Sequence, residues 1–221
     1  MQLSTQGQKL LSFYEEMLEN KSVINTVYGE LKKPETTNIF DQFQARKFKT
    51  FLLPIFKENK IKTILDYGSG GSDWDKEGFH NESNQSAKNF FGLDEVYTYE
   101  PTRKMNQKKH ADCVLCFDVL EHIFITDLPK VIEEIFSYSK KLVVVNVACY
   151  PAGKLLPNNE NVHVTVRPSD WWKALFDNIS IKFPKIKVVL TCAETAKKVV
   201  GFESWKSEDW FNSEKLVIKY C

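Results

Sequence analysis

The chain has 221 residues, of which 43% are hydrophobic, 27% charged and 13% aromatic, a composition that excludes a disordered or fibrous protein. Lysine and arginine number 30 against 29 aspartates and glutamates, so no overall positive field attracts nucleic acid or an anionic membrane. Only Arg46, Arg103 and Arg167 carry a guanidinium group, and we therefore expect no sequence-specific recognition of duplex DNA.

The cysteines and the apolar runs bear on the compartment. No apolar run approaches the roughly 20 residues of a membrane helix, and the first residues lack the basic start and apolar stretch of a signal peptide. We expect a cytoplasmic protein that does not bind membranes. Five cysteines, an odd number, form no paired framework and are expected to be reduced. Cys113 and Cys116 share one apolar strand, where positions three apart face opposite sides, so we predict buried thiols.

The first 60 residues predict two helices joined by a polar loop near residues 32–38. Apolar residues recur at helical spacing in two groups, namely Leu10, Tyr14, Met17 and Leu18, and then Phe48, Phe51, Leu52, Ile55 and Phe56. Pro54 is expected to kink or restart the second helix. We assign residues 1–60 as a helical extension packed on a core domain of residues 61–221, the two forming one structural domain.

Strands and helices alternate through the rest of the chain. Predicted strands lie at 61–67, 96–99, 113–117, 142–147, 186–191 and 216–220, the last two flanking an aromatic insertion around 202–211 (Phe202, Trp205, Trp210 and Phe211). A polar helical segment is expected after the first strand. A helix is expected around 128–136, capped by Thr126 and with Pro129 in its first turn.

The strands are apolar throughout, which is typical of strands buried on both faces of a parallel sheet. We therefore predict an α/β fold with a doubly wound, mostly parallel sheet and helices on both faces. In such sheets, ligands bind beyond the carboxyl ends of the strands.

A glycine bend follows the first of these strands, in the sequence Asp66-Tyr67-Gly68-Ser69-Gly70-Gly71. Such a bend lets backbone N–H groups approach a ligand closely, although it is also a common tight connection. Three residues after Gly70 a dinucleotide site has glycine, whereas this chain has Asp73, whose carboxylate would repel a pyrophosphate. A ligand that carries an ammonium and a sulfonium instead of phosphate tolerates an acid there.

Acidic residues also end the next two strands. Glu100 follows the strand at 96–99, and a carboxylate in that place can accept hydrogen bonds from the two hydroxyls of a ribose, although a lone terminal glutamate is more often solvated. The third strand runs into Phe117-Asp118-Val119-Leu120-Glu121-His122-Ile123.

In this order and spacing, the three motifs resemble class I S-adenosylmethionine-dependent methyltransferases over about residues 62–175. Residues 150–157, 161–168 and 170–172 are similar to a subgroup from phages and marine bacteria. The resemblance implies a Rossmann-like domain in which the bend residues Asp66, Gly68, Ser69 and Gly70 hold the methionine part of the cofactor. It also implies that Glu100 holds the ribose and that Asp118 lies near the sulfonium. The connection 101–110 is too short for a full helix and strand, so no adenine contact is assigned.

Asp118, Glu121 and His122 stand at positions i, i+3 and i+4, which brings them together if a helical turn begins there. With His163 they form a candidate site for Mg²⁺ or another divalent cation. The pattern resembles the E-x-x-E-H motif with a distal histidine in methyltransferases of small-RNA 3′ ends and of the ubiquinone pathway. Glu121 and His122 can equally be a polar strand end, as in metal-free relatives.

The sequence therefore predicts methyl transfer to an oxygen or nitrogen of a small-molecule acceptor, with Asp118, His122 and His163 as catalytic residues. Either histidine can act as general base, or a bound metal can acidify an acceptor hydroxyl. We expect the acceptor wall in residues 163–172 (His163, Arg167, Trp171 and Trp172), although the tryptophans also suit the start of a core helix. Two alternatives remain, an enzyme resembling RNA 2′-O-methyltransferases and a non-catalytic S-adenosylmethionine-binding protein.

Overall fold

The computed structural model describes residues 2–20, 24–27, 30–31, 43–204 and 215–218. Its α-helices are α1 (Thr5–Glu19), α2 (Lys49–Glu58), α3 (Ala87–Phe91), α4 (Leu128–Tyr138) and α5 (Ser169–Ser180). The strands are β1 (Ile24–Val27), β2 (Glu30–Leu31), β3 (Thr63–Tyr67), β4 (Glu95–Glu100), β5 (Met105–Asn106), β6 (Ala111–Phe117), β7 (Ser139–Ala148), β8 (Lys154–Leu155), β9 (Lys187–Thr195), β10 (Lys198–Ser204) and β11 (Leu216–Ile218). Within these ranges no helix has both the length and the apolar character needed to cross a bilayer.

Eight of the described strands form one sheet in the order β11-β10-β9-β7-β6-β3-β4-β5. The five central strands β4, β3, β6, β7 and β9 are parallel to one another. Strand β5 pairs antiparallel with β4 at one side of the sheet, and β10 pairs antiparallel with both β9 and β11 at the other. Counted along the chain, the parallel strands lie in the order 2-1-3-4-5, so the winding reverses between β3 and β6. The predicted α/β fold with a mostly parallel sheet is confirmed at this level, which many functions share.

Each face of the sheet buries its own hydrophobic layer. Helices α4 and α5 cover one face, where Val114 and Cys116 of β6 are buried, and α2 and α3 cover the other, where Cys113 and Leu115 are buried. The period of two along the strand therefore sends the two cysteines into opposite layers, and both are free thiols, as predicted.

The helix boundaries correct two expectations. Helix α2 continues through Pro54 without the restart that was one of the two expected outcomes, and Leu52, Ile55 and Phe56 on both sides of the proline are buried in the core. Helix α4 begins after Asp127 rather than Thr126, and the Asp127 side chain makes no cap hydrogen bond to its own helix. Helix α4 is preceded by a turn in which the N–H groups of Asp127 and Leu128 donate to the Phe124 carbonyl. Pro129 lies in the first helical turn, as predicted.

The polar segment after β3 is not the expected helix. Residues 71–86 form turns, and only the five-residue helix α3 follows them. The carboxylate of Asp73 accepts hydrogen bonds from the N–H groups of Asp75 and Lys76, so it competes with helical pairing. The indole of Trp74 is buried and donates to Asp66, which fixes the chain in a non-helical path.

The remaining expectations concern the two ends of the chain. Strands β9 and β11 overlap the predicted strands at 186–191 and 216–220, of which residues 219–220 lie outside the described residues. Strand β10 lies between them and includes Phe202, which belongs to the sheet rather than to an insertion. The loop at 32–38 and Trp205, Trp210 and Phe211 lie outside the described residues. Residues 101–110 contain a short 3₁₀ turn and β5 where a helix and strand would otherwise stand, as the spacing predicted. Residues 1–60 were expected to be a helical extension, but they also contain strand β1, which pairs with β2 and β8.

Helix α1 is fixed to the core through a buried carboxylate. The Asp127 oxygens accept hydrogen bonds from the backbone N–H of Ser4 at 2.8 Å and from its hydroxyl at 2.7 Å, and Ser4 also caps α1. Gly7 lies so close to this contact that a Cβ on it would stand 2.3 Å from Asp127 Oδ2. We call the contact of Ser4, Gly7 and Asp127 the α1 anchor.

Gly7→Ala is expected to destabilise the protein, although alanine favours helix more than glycine does. The added methyl must displace the buried carboxylate of Asp127, and overpacking of this kind costs about 1–3 kcal/mol. Thermal unfolding should shift down by about 2–4 °C per kcal/mol. Gln6→Ala, at an exposed position of the same helix, is the matched control and should not lower the midpoint. An unchanged midpoint for Gly7→Ala would contradict the described contact.

Candidate functional site

A cavity of about 780 Å³ opens at the carboxyl ends of β3, β4 and β6, next to the point where the sheet reverses its winding. This is the place where doubly wound sheets bind ligands, and the volume is that of a small-molecule pocket. The strand ends supply one side of the cavity. Helix α1, residues 150–154 and residues 162–163 supply the other.

The glycine bend is tied to the end of β4. The N–H groups of Gly68 and Ser69 donate to the Tyr99 carbonyl at 2.7 and 3.1 Å, and the N–H of Gly70 donates to Glu100 Oε2 at 2.9 Å. In this structure these three amides therefore bond to the end of β4. Gly68 has a φ of +78°, and a Cβ there would stand 2.3 Å from Val119, so the bend needs glycine at this position.

Glu100 lies beside the bend, and its carboxylate is nearly saturated. Besides Gly70, it accepts hydrogen bonds from the N–H of Thr102 at 3.1 Å and from the Thr102 hydroxyl at 2.5 Å. A carboxylate offers about four acceptor positions, so one remains for a ligand hydroxyl, and a second becomes available if the Thr102 side chain rotates. Thr102 is a site residue that the sequence analysis missed.

Asp66 is buried at the end of β3, where Trp74 Nε1 donates to its carboxylate at 2.8 Å. Burial raises the pKa of Asp66 to about 7, against the lowering effect of the Trp74 hydrogen bond, and the charge of Glu100 raises it further. Asp66 is therefore poised to lose its proton when a cation approaches.

Asp118 has a φ of +55°, which is rare for a residue other than glycine. A buried network holds its side chain. Thr191 donates to Asn146 at 2.8 Å, and Asn146 donates to Asp118 at 2.5 Å. Burial is also the main cause that raises the pKa of Asp118, and Asn146 and Lys47 oppose it. Strain at a position fixed by a surrounding network is typical of functional sites.

Glu121, His122 and His163 form a compact cluster at the cavity, which both histidines line, and one ligand atom from each residue lies within 4.8 Å of the others. A 3₁₀ turn at Leu120–His122 brings the first two together, and the two imidazole rings are 4.7 Å apart at 88°. We call Glu121, His122 and His163 the Glu–His cluster. The group does not include Asp118, whose Oδ1 accepts from Asn146, so three of the four predicted ligands lie together.

The donor atoms of the Glu–His cluster fit a divalent cation. Glu121 is fully buried, its Oε1 accepts from the N–H of Ala148 at 2.9 Å, and its Oε2 has no hydrogen-bond partner among the described residues. Each histidine has its Nδ1 against a backbone carbonyl, of Val162 at 3.0 Å for His122 and of Tyr150 at 2.6 Å for His163. This leaves Nε2 available on both rings, which is the usual arrangement of metal-binding histidines.

The electrostatic environment of the Glu–His cluster also favours the binding of a cation. Burial raises the pKa of Glu121 well above its usual value, and the neighbouring Asp118 adds to this effect. Burial lowers the pKa of His122 to about 3 and also lowers that of His163, so both imidazoles are neutral at neutral pH. A buried carboxyl group next to two neutral imidazoles gains a favourable charge partner when a divalent ion binds.

The acceptor wall differs from the expected one. Of the residues named for it, only His163 lines the cavity, whereas Arg167 and Trp171 stand outside it. Trp172 is fully buried in the core layer of α4 and α5, with Trp171 edge-on against it, which is the core-helix alternative. Instead, the wall includes Leu3, Leu10, Leu11, Tyr14, Tyr150, Ala152, Gly153, Lys154 and Val162. The helical spacing of α1 is visible in the sequence, but the sequence does not indicate that this helix packs over the strand ends.

Comparison with protein-family models, with curated proteins and with solved structures finds no match to this chain.

Asp66 gives the folding free energy a defined dependence on pH. Its pKa rises from about 4 in the unfolded chain to about 7 in the folded protein, so the native state holds this proton more tightly, and stability falls as the pH rises through that window. The buried histidines have the opposite effect below their usual pKa, so the contribution of Asp66 is isolated as a difference from Asp66→Asn. Urea unfolding from pH 4.5 to 8 should show wild type losing stability relative to this variant. Asp94→Asn, at an exposed position, is the control, and parallel curves for wild type and Asp66→Asn would contradict the burial described.

Proposed function

We propose that this chain is an S-adenosylmethionine-dependent methyltransferase that transfers a methyl group to an oxygen or nitrogen of a small-molecule acceptor. One observation carries the proposal. The carboxylates of Asp66, Glu100 and Asp118 end three adjacent parallel strands and line a single cavity beside a glycine bend. Three acids that were chosen from separate motifs therefore stand together.

The charge of the cavity supports a cationic ligand. Among the described lining residues, four are carboxylates, Asp66, Glu100, Asp118 and Asp127, whereas Lys154 is the single lysine or arginine. Asp127 is engaged by Ser4 in the α1 anchor, so the other three carboxylates are the ones offered to a ligand. A sulfonium and an ammonium are attracted to these carboxylates, and phosphate is repelled.

The backbone around the glycine bend also disfavours a nucleotide phosphate. Phosphate sites in doubly wound sheets use the N-terminus of the helix that directly follows the bend. Here turns follow, and the amides of Gly68, Ser69 and Gly70 already bond to β4. A dinucleotide would therefore find no helix N-terminus at the bend, and the amides of Gly68, Ser69 and Gly70 are already engaged.

Each acid has a distinct role in the proposed complex. Asp66 and the bend hold the amino-acid tail of the cofactor, Glu100 accepts from the ribose, and Asp118 lies near the sulfonium. The hydroxyl of Ser69 is buried at the cavity and has no partner among the described residues, so it is available to the same tail.

In the proposed reaction, a lone pair of the acceptor oxygen or nitrogen forms a bond to the methyl carbon while the carbon–sulfur bond breaks. The electron pair of that bond stays on sulfur, S-adenosylhomocysteine is the product, and the acceptor proton passes to a base. The cofactor supplies the leaving group, so the protein contributes mainly orientation. His163 and His122 line the cavity with Nε2 available to receive the proton.

The two roles of the histidines, as base and as ligand, compete for the same Nε2 atoms. A base with a pKa far below neutral is inefficient, so the low pKa of His122 favours its role as a ligand. Glu121, His122 and His163 would hold a divalent ion, which when bound orients an acceptor hydroxyl and lowers its pKa.

Cofactor binding is the primary test. S-Adenosylmethionine and S-adenosylhomocysteine should both give heat in isothermal calorimetry with the full chain, and the nicotinamide dinucleotide NAD should not. Glu100→Gln should weaken binding by about 10-fold or more, because it removes a charge-assisted acceptor from the ribose. Glu160→Gln, at an exposed position, is the matched control. The absence of heat with both sulfur compounds would refute the proposal.

His122→Ala and His163→Ala should each abolish turnover and leave cofactor binding largely intact, because both residues act on the acceptor side. Turnover is measured as S-adenosylhomocysteine formed from S-adenosylmethionine with a small-molecule extract. Unchanged turnover in both variants would remove the histidines from the mechanism. Cofactor binding with no turnover for any acceptor would favour the non-catalytic alternative.

The same assay with RNA in place of the extract distinguishes a small-molecule methyltransferase from an enzyme that methylates RNA. The described structure favours a small molecule, since the basic segment 103–110 is partly in structural use. Lys108 forms a partly buried ion pair with Glu134 at 3.0 Å and lies 4.2 Å from the centre of the Tyr99 ring. Turnover with RNA alone would favour the RNA alternative.

A further inference from the structure

Helix α1 reaches the Glu–His cluster through one hydroxyl group. The Tyr14 hydroxyl lies 2.7 Å from Nδ1 of His122 and donates to the Val162 carbonyl at 3.0 Å, and that carbonyl is itself 3.0 Å from the same Nδ1. Three polar atoms from three separate segments of the chain therefore form a closed triangle. The Tyr14 and His122 rings meet edge to face, with centroids 5.7 Å apart.

The triangle assigns the proton on His122. A carbonyl oxygen only accepts hydrogen bonds, so the approach of Nδ1 to Val162 at 3.0 Å favours the tautomer that carries hydrogen on Nδ1. The Tyr14 hydroxyl then donates to Val162 and accepts from Nδ1–H, which satisfies every group. The opposite tautomer would set a lone pair of Nδ1 against the lone pairs of the carbonyl. Nε2 is therefore the nitrogen of His122 that is free for a cation.

We propose that Tyr14 is a positioning residue of the Glu–His cluster, whose hydroxyl fixes the ring of His122 for a divalent cation. The inference rests on the proposed function only in taking this cluster as a cation site. In metal sites, the groups that hold the second nitrogen of a histidine fix its tautomer and orientation, and their loss typically costs 10–100-fold in metal affinity.

Two features show that Tyr14 does more than fill space. Tyr14 is buried with Leu10, Met17, Leu156 and Val162, an apolar group in which phenylalanine would fill the same volume without a hydroxyl to satisfy. Its helix is also fixed at the other end by the α1 anchor, so the hydroxyl is delivered from a rigid element. Burial raises the pKa of Tyr14, which keeps its proton in place as a donor to Val162.

The test is calorimetric titration of Mn²⁺ alone into the full metal-free chain. Tyr14→Phe should lower Mn²⁺ affinity by about 10-fold while S-adenosylhomocysteine affinity is unchanged, because the described hydrogen bonds of its hydroxyl go to His122 and Val162. Glu121→Gln, which keeps the oxygen that accepts from Ala148, should lose more affinity. Tyr138→Phe on α4 is the matched control and should match wild type. Equal Mn²⁺ affinity in Tyr14→Phe and wild type overturns the proposal.

A second measurement does not depend on any variant folding. The ¹⁵N shifts of the histidine rings in the metal-free wild-type protein should show His122 with its proton on Nδ1, and a proton on Nε2 overturns the proposal. The methyltransferase proposal and the role of Tyr14 can fail independently. If S-adenosylhomocysteine gives no heat but Mn²⁺ binds and weakens in Tyr14→Phe, the methyltransferase proposal fails and the role of Tyr14 stands. If the cofactor binds and Mn²⁺ does not, only the role of Tyr14 is overturned.

Discussion

The site depends on keeping carboxylates out of water at the ends of adjacent strands. An ionised carboxylate loses much of its hydration there, and the cost is offset by donors that the fold supplies, Trp74 for Asp66, Gly70 for Glu100 and Asn146 for Asp118. Each donor comes from a different segment, so the strand ends, the glycine bend and the segment after it must all be in place together. The negative potential of the cavity is thus a product of the whole fold.

The parts of the structure that the sequence predicted well are those with a local cause. Residues 113–117 and 142–145 are continuous apolar runs, and such runs are typical of strands that are buried on both faces. The three acids that end adjacent strands were found for the same reason, because parallel strands align their carboxyl ends. The meeting of His163 with His122 was predicted from the resemblance, and no spacing in the sequence alone indicates it.

What the sequence did not predict has long-range causes. Asp127 looks like an ordinary residue before a helix, yet its side chain bonds to Ser4, 123 positions away, and makes no cap hydrogen bond to its own helix. Once that contact places α1 over the cavity, Tyr14 changes from a core residue into a neighbour of His122. The helix expected after the glycine bend is absent for a related reason, since the buried hydrogen bond from Trp74 to Asp66 at the end of β3 outweighs local helical preference.

Because α1 lies over the strand ends, one wall of the cavity belongs to the central sheet and the facing wall does not. The strand ends are rigid parts of the central sheet, whereas the facing wall comes from the first 20 residues and from the 150–163 segment, neither of which belongs to that sheet. Substitutions in α1 can therefore reshape the acceptor side while leaving the carboxylates undisturbed. Under the proposed function, such a chain can diversify its acceptors through its amino-terminal helix and conserve its cofactor, and new specificities are best sought by varying that helix.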